Sequence, residues 1–175
     1  MGEKLVKSTR VYDGAVVSLR VDEVVLPSGR TAAREIVEHR GAVAIVPLTD
    51  DGRVLLVRQF RTAAGRALLE IPAGTIEPGE SVEGCLQREL AEEVGMQAAR
   101  IQRLMTFLPS PGFLTEQVHL YLAEGLHPAS RDREEEDLAV VTMALTQAQG
   151  LIGAEIIDAK SIIGLLLAGS PRART

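Results

Sequence analysis

The chain runs to 175 residues, with 19 Lys and Arg against 24 Asp and Glu for a formal charge of −5. That length suits one ordinary domain, or one domain with a small appendage, and the acidic balance argues against a general nucleic-acid or membrane-surface binder. The single cysteine, Cys85, excludes an intramolecular disulfide and a Cys-rich zinc site, and His39, His119 and His127 lack metal-ligand spacing. With 46% hydrophobic and 25% charged residues the composition is globular, and with three Phe, two Tyr and no Trp the core must be aliphatic. Met1 to Lys7 lacks the apolar run of a signal peptide, and the apolar stretch Ile162 to Ala168 is too short to span a bilayer. A soluble, cytoplasmic protein is the expectation.

The first forty residues read as extended. Ala15 to Leu26 is rich in β-branched residues, Pro27-Ser28-Gly29-Arg30 signals a turn, and Thr31 to His39 resumes with partial alternation, predicting a meander of two or three strands. Gly41 to Leu48 is almost wholly apolar, as expected of a strand buried on both faces. Asp50-Asp51-Gly52 signals a hairpin turn, with Arg53 to Phe60 as the return strand. Leu68 to Pro72 reads as a short strand stopped by Pro72-Ala73-Gly74. The period then changes. Val82, Leu86, Leu90 and Val94 recur every four residues, Ser81 suits an N-cap, and Gly95 stands where a helix stop belongs. Ile101 to Phe107, Gln117 to Ala123 and Leu138 to Met143 read as strands, and Ala144 to Leu151 and Asp158 to Leu167 as helices. Strands and helices mix without a regular βαβ alternation, which favours a mixed-sheet α/β sandwich over a doubly wound parallel sheet. Neither G-x-G-x-x-G after a strand nor a P-loop is present.

The chemistry concentrates between Gly74 and Met96. On a helix, Glu89 and Glu93 are four apart and Glu89 and Glu92 three apart, so their carboxylates crowd one sector. Such crowding disfavours an isolated helix and is relieved by a divalent cation, which carboxylate oxygens suit. Arg88 can pair with Glu92 one turn on. Alone, R-E-L-A-E-E is an ordinary solvated acidic face. Gly74 and Glu80 at fixed distances upstream change that. The full array is G-x5-E-x7-R-E-U-x-E-E-x-G-U, with U apolar, and it is met at every position. A chance match in a chain this long is on the order of one in ten million at average residue usage.

This 23-residue array resembles the signature of the Nudix hydrolase family. The resemblance implies hydrolysis of a pyrophosphate that joins a nucleoside to another moiety, with divalent metal, on an α/β/α sandwich around a mixed sheet. Arg34 to His39, Val57 to Arg61, Glu70 to Gly74 and Ser110 to Glu116 look like the ADP-ribose pyrophosphatase branch, and Pro111, sixteen residues after Gly95, stands where that branch carries its distinguishing proline. Residues 1–40 are then a strand-rich dimerisation segment with an antiparallel sheet exchanged between subunits, and residues 41–170 the Nudix domain. By the same resemblance Glu89, Glu93 and the carbonyl of Ala73 hold metal, two or more Mg²⁺ or Mn²⁺ ions per site. Glu92 assists as ligand or orienting group. Glu136 in the acidic run 132–137 is a further ligand, and Glu134 the proton acceptor. Arg61, Thr75, Ser110, Pro111, Gly112 and Glu116 bind substrate, with Arg34 and Glu35 reaching the adenine side from the partner subunit. Tyr12 is the only aromatic residue before Phe60, so the adenine stack common in that branch lacks its usual partner here. Two alternatives stand beside an ADP-ribose hydrolase: a hydrolase of another nucleoside diphosphate sugar such as a GDP-sugar, and a non-catalytic Nudix ligand-sensing module. The intact box and the absence of a basic recognition helix in the tail disfavour the second. Cys85 and His119 are read as core residues.

Overall fold

The computed structural model describes residues 2–129 and 138–170. They divide into two compact units, Met1–Gly41 with Leu108–Gln117, and Ala42–Phe107 with Val118–Thr175.

The smaller unit is a three-stranded antiparallel sheet, β1 (Lys4–Asp13), β2 (Ser18–Val25) and β3 (Thr31–Glu38), in that order. The meander is thus three strands long. Gly29 takes φ 82° in the turn before β3, where its N–H donates to the carbonyl of Leu26 at 2.9 Å. The segment Leu108–Gln117 lies along β3: the Val37 amide donates to the Phe113 carbonyl at 2.8 Å and the Thr115 amide to the Val37 carbonyl at 3.0 Å. All ten residues of the edge strand β1 are exposed, including Leu5, Val6, Val11 and Tyr12, each more than half open to solvent.

The larger unit contains β4 (Ala42–Pro47), β5 (Arg53–Arg61), β6 (Arg66–Glu70), β7 (Ala73–Thr75), α1 (Val82–Val94), β8 (Met96–Phe107), β9 (Val118–Pro128), β10 (Ala139–Ala144), α2 (Leu145–Gly150) and α3 (Ala159–Ala168). One sheet runs β7-β4-β9-β8 and a second β10-β5-β6. In the first sheet β4 and β9 pair in parallel whereas β4/β7 and β8/β9 are antiparallel, so that sheet is mixed. The period of two sorts its apolar residues onto two faces. Val43 and Ile45 of β4, Leu55 and Val57 of β5, and Tyr121 and Ala123 of β9 pack with Leu86, Leu90 and Val94 of α1. Ala44, Val46, Val54, Leu56, Leu120 and Leu122 pack instead with Leu165 and Ala168 of α3. This is the expected α/β/α arrangement, and it explains why β4 reads as continuously apolar: both of its faces are covered. Among the described residues no helix is long and apolar enough to cross a membrane.

The predicted hairpin at Asp50-Asp51-Gly52 requires a correction. The turn forms, but Leu48 and Val54 make a single antiparallel bridge and the strands then part into different sheets. The cause is that β9 and β7 occupy both hydrogen-bonding edges of β4, which leaves none for β5. The strand expected at Leu68 to Pro72 ends at Glu70, and Ala73 and Gly74 of the expected stop Pro72-Ala73-Gly74 belong instead to the short strand β7.

Candidate active site

Helix α1 forms where its end signals predicted. Ser81 is extended (φ −79°, ψ 155°) and its Oγ accepts from the Gly84 amide at 3.0 Å. Gly95 closes the helix in the left-handed region (φ 69°), with its N–H donating to the Ala91 carbonyl at 3.1 Å. Leu86 and Leu90 are fully buried, each contributing roughly 1.5–3 kcal/mol of transfer free energy. That anchor fixes the helix's rotation about its axis and so decides where its carboxylates point.

Those carboxylates are not a solvated face. Glu89 and Glu93 are only 5% and 4% exposed. Arg88 gathers the surrounding charge. Its Nη1 donates to Glu89 Oε1 at 2.7 Å and to Glu92 Oε2 at 3.0 Å. Its Nε and Nη2 donate to Glu80 at 2.9 and 3.0 Å, and Nη2 also reaches the Thr75 carbonyl at 3.2 Å. The Arg88–Glu92 pairing read from the spacing is therefore one of several. The hydrogen bonds from Arg88 pull the Glu80 carboxyl down to about 2 against the opposing effect of burial, and the Glu80 carboxylate in turn raises the Arg88 pKa. Glu93, one turn further along, accepts from the Ala73 amide at 3.0 Å. Strand β7 is thus tied to α1 at both ends, by Ala73 to Glu93 and by Thr75 to Arg88.

Between those ties lies Gly74. A Cβ there would collide with the Glu89 carboxylate. Its φ is not positive, so the need for glycine is one of space and not of backbone conformation. Backbone and carboxylate come this close only with no side chain between them, and that explains the glycine that opens the sequence array.

A divalent cation fits the chemistry of this corner. The available donors are carboxylate and backbone oxygens, which suit a hard cation and not a soft one. Glu89 and Glu93, more than nine-tenths buried on successive turns, bring carboxylate oxygens together where a divalent cation would neutralise them. Among the described residues no three His, Cys, Asp or Glu side chains form a metal-holding group by themselves. Cys85 behaves as the core residue expected. It is fully buried, its Sγ lies 3.6 Å from the Thr75 carbonyl, and burial together with Glu80 and Glu89 pushes its thiol up to about 12. His119 pairs through Nδ1 with Thr106 Oγ1 at 3.0 Å.

The other residues singled out from sequence fall as follows. In the larger unit Arg61 ends β5 and makes a bidentate bond to Glu70, at 2.8 Å on both arms. Thr75 ends β7. In the smaller unit Arg34 pairs with Glu3 at 2.6 Å, next to Glu35 on β3. Ser110, Pro111 and Gly112 form a turn in which the Ser110 carbonyl accepts from the Leu114 amide at 3.0 Å, and Glu116 stands 3.7 Å from His39 Nδ1. Glu134 and Glu136 lie outside the described residues.

Sequence reasoning missed Glu70 and Lys160. Glu70 is 1% exposed and is bonded by both Arg61 and Lys160. Burial pushes its carboxyl up, but the two cations outweigh burial and bring it down to about 2 from its ordinary 4.5. Its folded-state pKa is the lower one. Its ionised form therefore stabilises the fold fully above about pH 4.5, and that contribution is lost as pH falls towards 2. The amount is on the order of 3 kcal/mol. Urea unfolding at pH 5 and pH 3 should show a drop in stability that is clearly smaller in Glu70→Gln, and equal slopes in the two proteins would contradict this account.

Comparison with known proteins agrees with this architecture. The family model described as NUDIX domain matches residues 38–163, and that described as nucleoside diphosphate sugar hydrolase N-terminal domain matches residues 3–37. A protein of Bacillus subtilis named ADP-ribose pyrophosphatase is 40% identical over 91% of this chain and 88% of its own. A protein of Bacillus methanolicus named methanol dehydrogenase activator is 39% identical over 93% and 90% respectively. A crystal structure of an ADP compounds hydrolase superposes with a TM-score of 0.85 at 24% identity, covering 96% of this chain and 92% of that one, which establishes likeness of fold. The chain belongs to the NUDIX domain family and carries a nucleoside diphosphate sugar hydrolase N-terminal domain ahead of the NUDIX domain.

Proposed function

We propose that this Nudix hydrolase cleaves the pyrophosphate of ADP-ribose or a related nucleoside diphosphate sugar with the help of a divalent metal, giving AMP and ribose 5-phosphate from ADP-ribose. The observation that carries the reading is the corner built by α1 and β7: two buried carboxylates, Glu89 and Glu93, set against a glycine strand that a side chain would block. The relative named ADP-ribose pyrophosphatase, similar over nine-tenths of the chain, supports the choice of substrate.

Glu89, Glu93 and the Ala73 carbonyl would hold Mg²⁺ or Mn²⁺, with Glu136 as a further ligand. A cation so bound supplies neutralisation of the diphosphate charge and a lowered pKa for a water molecule. The chain's own residues do the rest. Arg88 restrains Glu89 and Glu92, so the carboxylates need little reorganisation when substrate arrives. Glu134 is the proposed proton acceptor, with Glu92 next in line. Arg61, Thr75, Ser110, Pro111, Gly112 and Glu116 are the proposed substrate-binding residues. The decisive experiment is a panel of ADP-ribose, GDP-mannose and other nucleotide sugars, read by chromatographic separation of the nucleoside monophosphate and sugar phosphate products. ADP-ribose should be the preferred substrate. Activity should vanish in EDTA and return with Mg²⁺ or Mn²⁺; full turnover in EDTA would remove the metal-dependent reading.

The same reading makes the protein a homodimer, with the N-terminal sheet exchanged and Arg34 and Glu35 supplied to the partner's site. Support comes from β1, an edge strand exposed along its whole length with Leu5, Val6, Val11 and Tyr12 open to solvent. An exposed edge that carries such apolar side chains among its charged ones is an aggregation hazard unless another chain covers it. Sedimentation should give twice the chain mass at micromolar concentration. A fully active monomer would exclude the composite site.

A further inference from the structure

A ladder of charge in the larger unit leads from α3 to the proposed substrate residue Arg61. It starts at the N-terminus of α3. Asp158 caps that helix, with Oδ2 accepting from the Ser161 amide at 3.1 Å, and the same oxygen takes Lys160 Nζ at 2.8 Å. Lys160 Nζ also donates to Glu70 Oε2. Glu70 in turn receives both arms of the Arg61 fork. The ladder therefore crosses three elements, α3, β6 and β5, and joins residues ninety positions apart.

Its base is rigid. Ser161 is fully buried and its Oγ accepts from the Ile71 amide at 2.9 Å, which pins the chain just after Glu70 to the first turn of α3. Gly164, one turn further along, lets the helix approach closely. A Cβ there would stand 2.9 Å from Val46 and 3.0 Å from Ile71. The far end of the ladder is open. Glu70 keeps 2% of its side-chain surface, whereas Arg61 keeps 38%. One edge of the guanidinium is thus fixed to a buried carboxylate while the rest of the group reaches solvent. A fork held in this way loses little freedom on binding an anion. Glu70 is also shared by two cations, so it does not consume the whole charge of Arg61.

We propose that Glu70 and Lys160 are positioning residues, and that the ladder from Asp158 fixes the Arg61 guanidinium as the reader of the substrate's diphosphate. This rests on the reading above in which Arg61 binds substrate. Neither residue touches substrate. Lys160 acts by setting where Arg61 stands and how much of its charge remains for the ligand.

The test is a double-mutant cycle on Lys160 and Arg61, with ADP-ribose and Mg²⁺ as the probe. Lys160→Met should raise KM by ~10-fold and leave kcat within about twofold, because an interaction made equally in ground and transition state has been weakened. Lys160→Arg, which restores the charge, should recover most of the loss. In the Arg61→Ala background Lys160→Met should have no further effect, since its target is gone. Should Lys160→Met fail to fold, Lys160→Gln keeps a donor towards Glu70 and takes its place. Three results overturn the proposal while leaving Arg61 as a phosphate ligand: an unchanged KM in the Lys160 variant, a fall in thermal stability and kcat with KM unmoved, or a KM effect that persists without Arg61. An Arg61→Ala protein with wild-type KM overturns the reading of Arg61 itself, and this proposal with it.

Discussion

Glu93→Gln is expected to lower kcat by about 10²–10⁴-fold, equivalent to the loss of ~3–5 kcal/mol of transition-state stabilisation. The substitution changes one charge and almost no volume. Gln retains an oxygen able to accept from the Ala73 amide, so the tie between α1 and β7 survives. Glu89→Gln should behave similarly in rate, and Arg88 would keep Glu80 and Glu92 as partners. Folding should not suffer in either case. In the metal-free protein each change relieves the crowding of two buried carboxylates four residues apart, and in Glu89→Gln that gain is offset by weakening of the Arg88 pair, so the melting temperature without metal should hold or rise in Glu93→Gln and change little in Glu89→Gln. The addition of Mg²⁺ should then stabilise wild type more than either variant, by mass action on the folded state. Both quantities come from the same samples, kinetics for the first and thermal melts with and without metal for the second. Activity within a few-fold of wild type would move the metal site elsewhere.

The contrast between what the sequence made legible and what it did not follows the range of the interactions. Helix α1 could be placed to the residue because its signals are local: a Ser81 cap, a four-residue apolar period and a Gly95 stop. The crowding of Glu89 and Glu93 is also local, since helical spacing alone puts them on one sector. The departure of β5 from β4 was hidden, because it depends on which strands compete for the edges of β4, and the winner β9 lies some seventy residues downstream. Glu70 and Lys160 were hidden for the same reason. Glu70 stands in a stretch that resembles the family and Lys160 in a predicted helix, but neither local context signals their pairing, and only the fold brings them together. Arg61 was picked out by family resemblance as a substrate contact, but nothing local indicated that a buried carboxylate would hold it. Arg88 lies between these cases: two partners, Glu89 and Glu92, are on its own helix, whereas Glu80 and the Thr75 carbonyl depend on how the loop before α1 folds back.

Gly74→Ala is expected to abolish most activity while leaving the protein folded. The added methyl group would overlap the Glu89 carboxylate, and the obstacle is the end of a side chain and not backbone. The cheapest response is therefore for the carboxylate to swing aside, with β7 keeping its pairing to β4. Relief by backbone strain is not needed, because Gly74 does not occupy the left-handed region. Displacement of a reacting group's ligand by about 1 Å costs on the order of 10²-fold in rate, so kcat should fall by at least that much. Thermal stability should drop only slightly. The mechanism can be separated from a general disturbance by combining Gly74→Ala with Glu89→Gln. If the methyl acts by displacing Glu89, the double variant should be little slower than Glu89→Gln alone, because the group to be displaced has already lost its charge. Multiplying rate losses would mean instead that Gly74 serves the site through its backbone, independently of Glu89. A Gly74→Ala protein with wild-type kcat would show that the close approach of β7 to Glu89 has no part in the reaction.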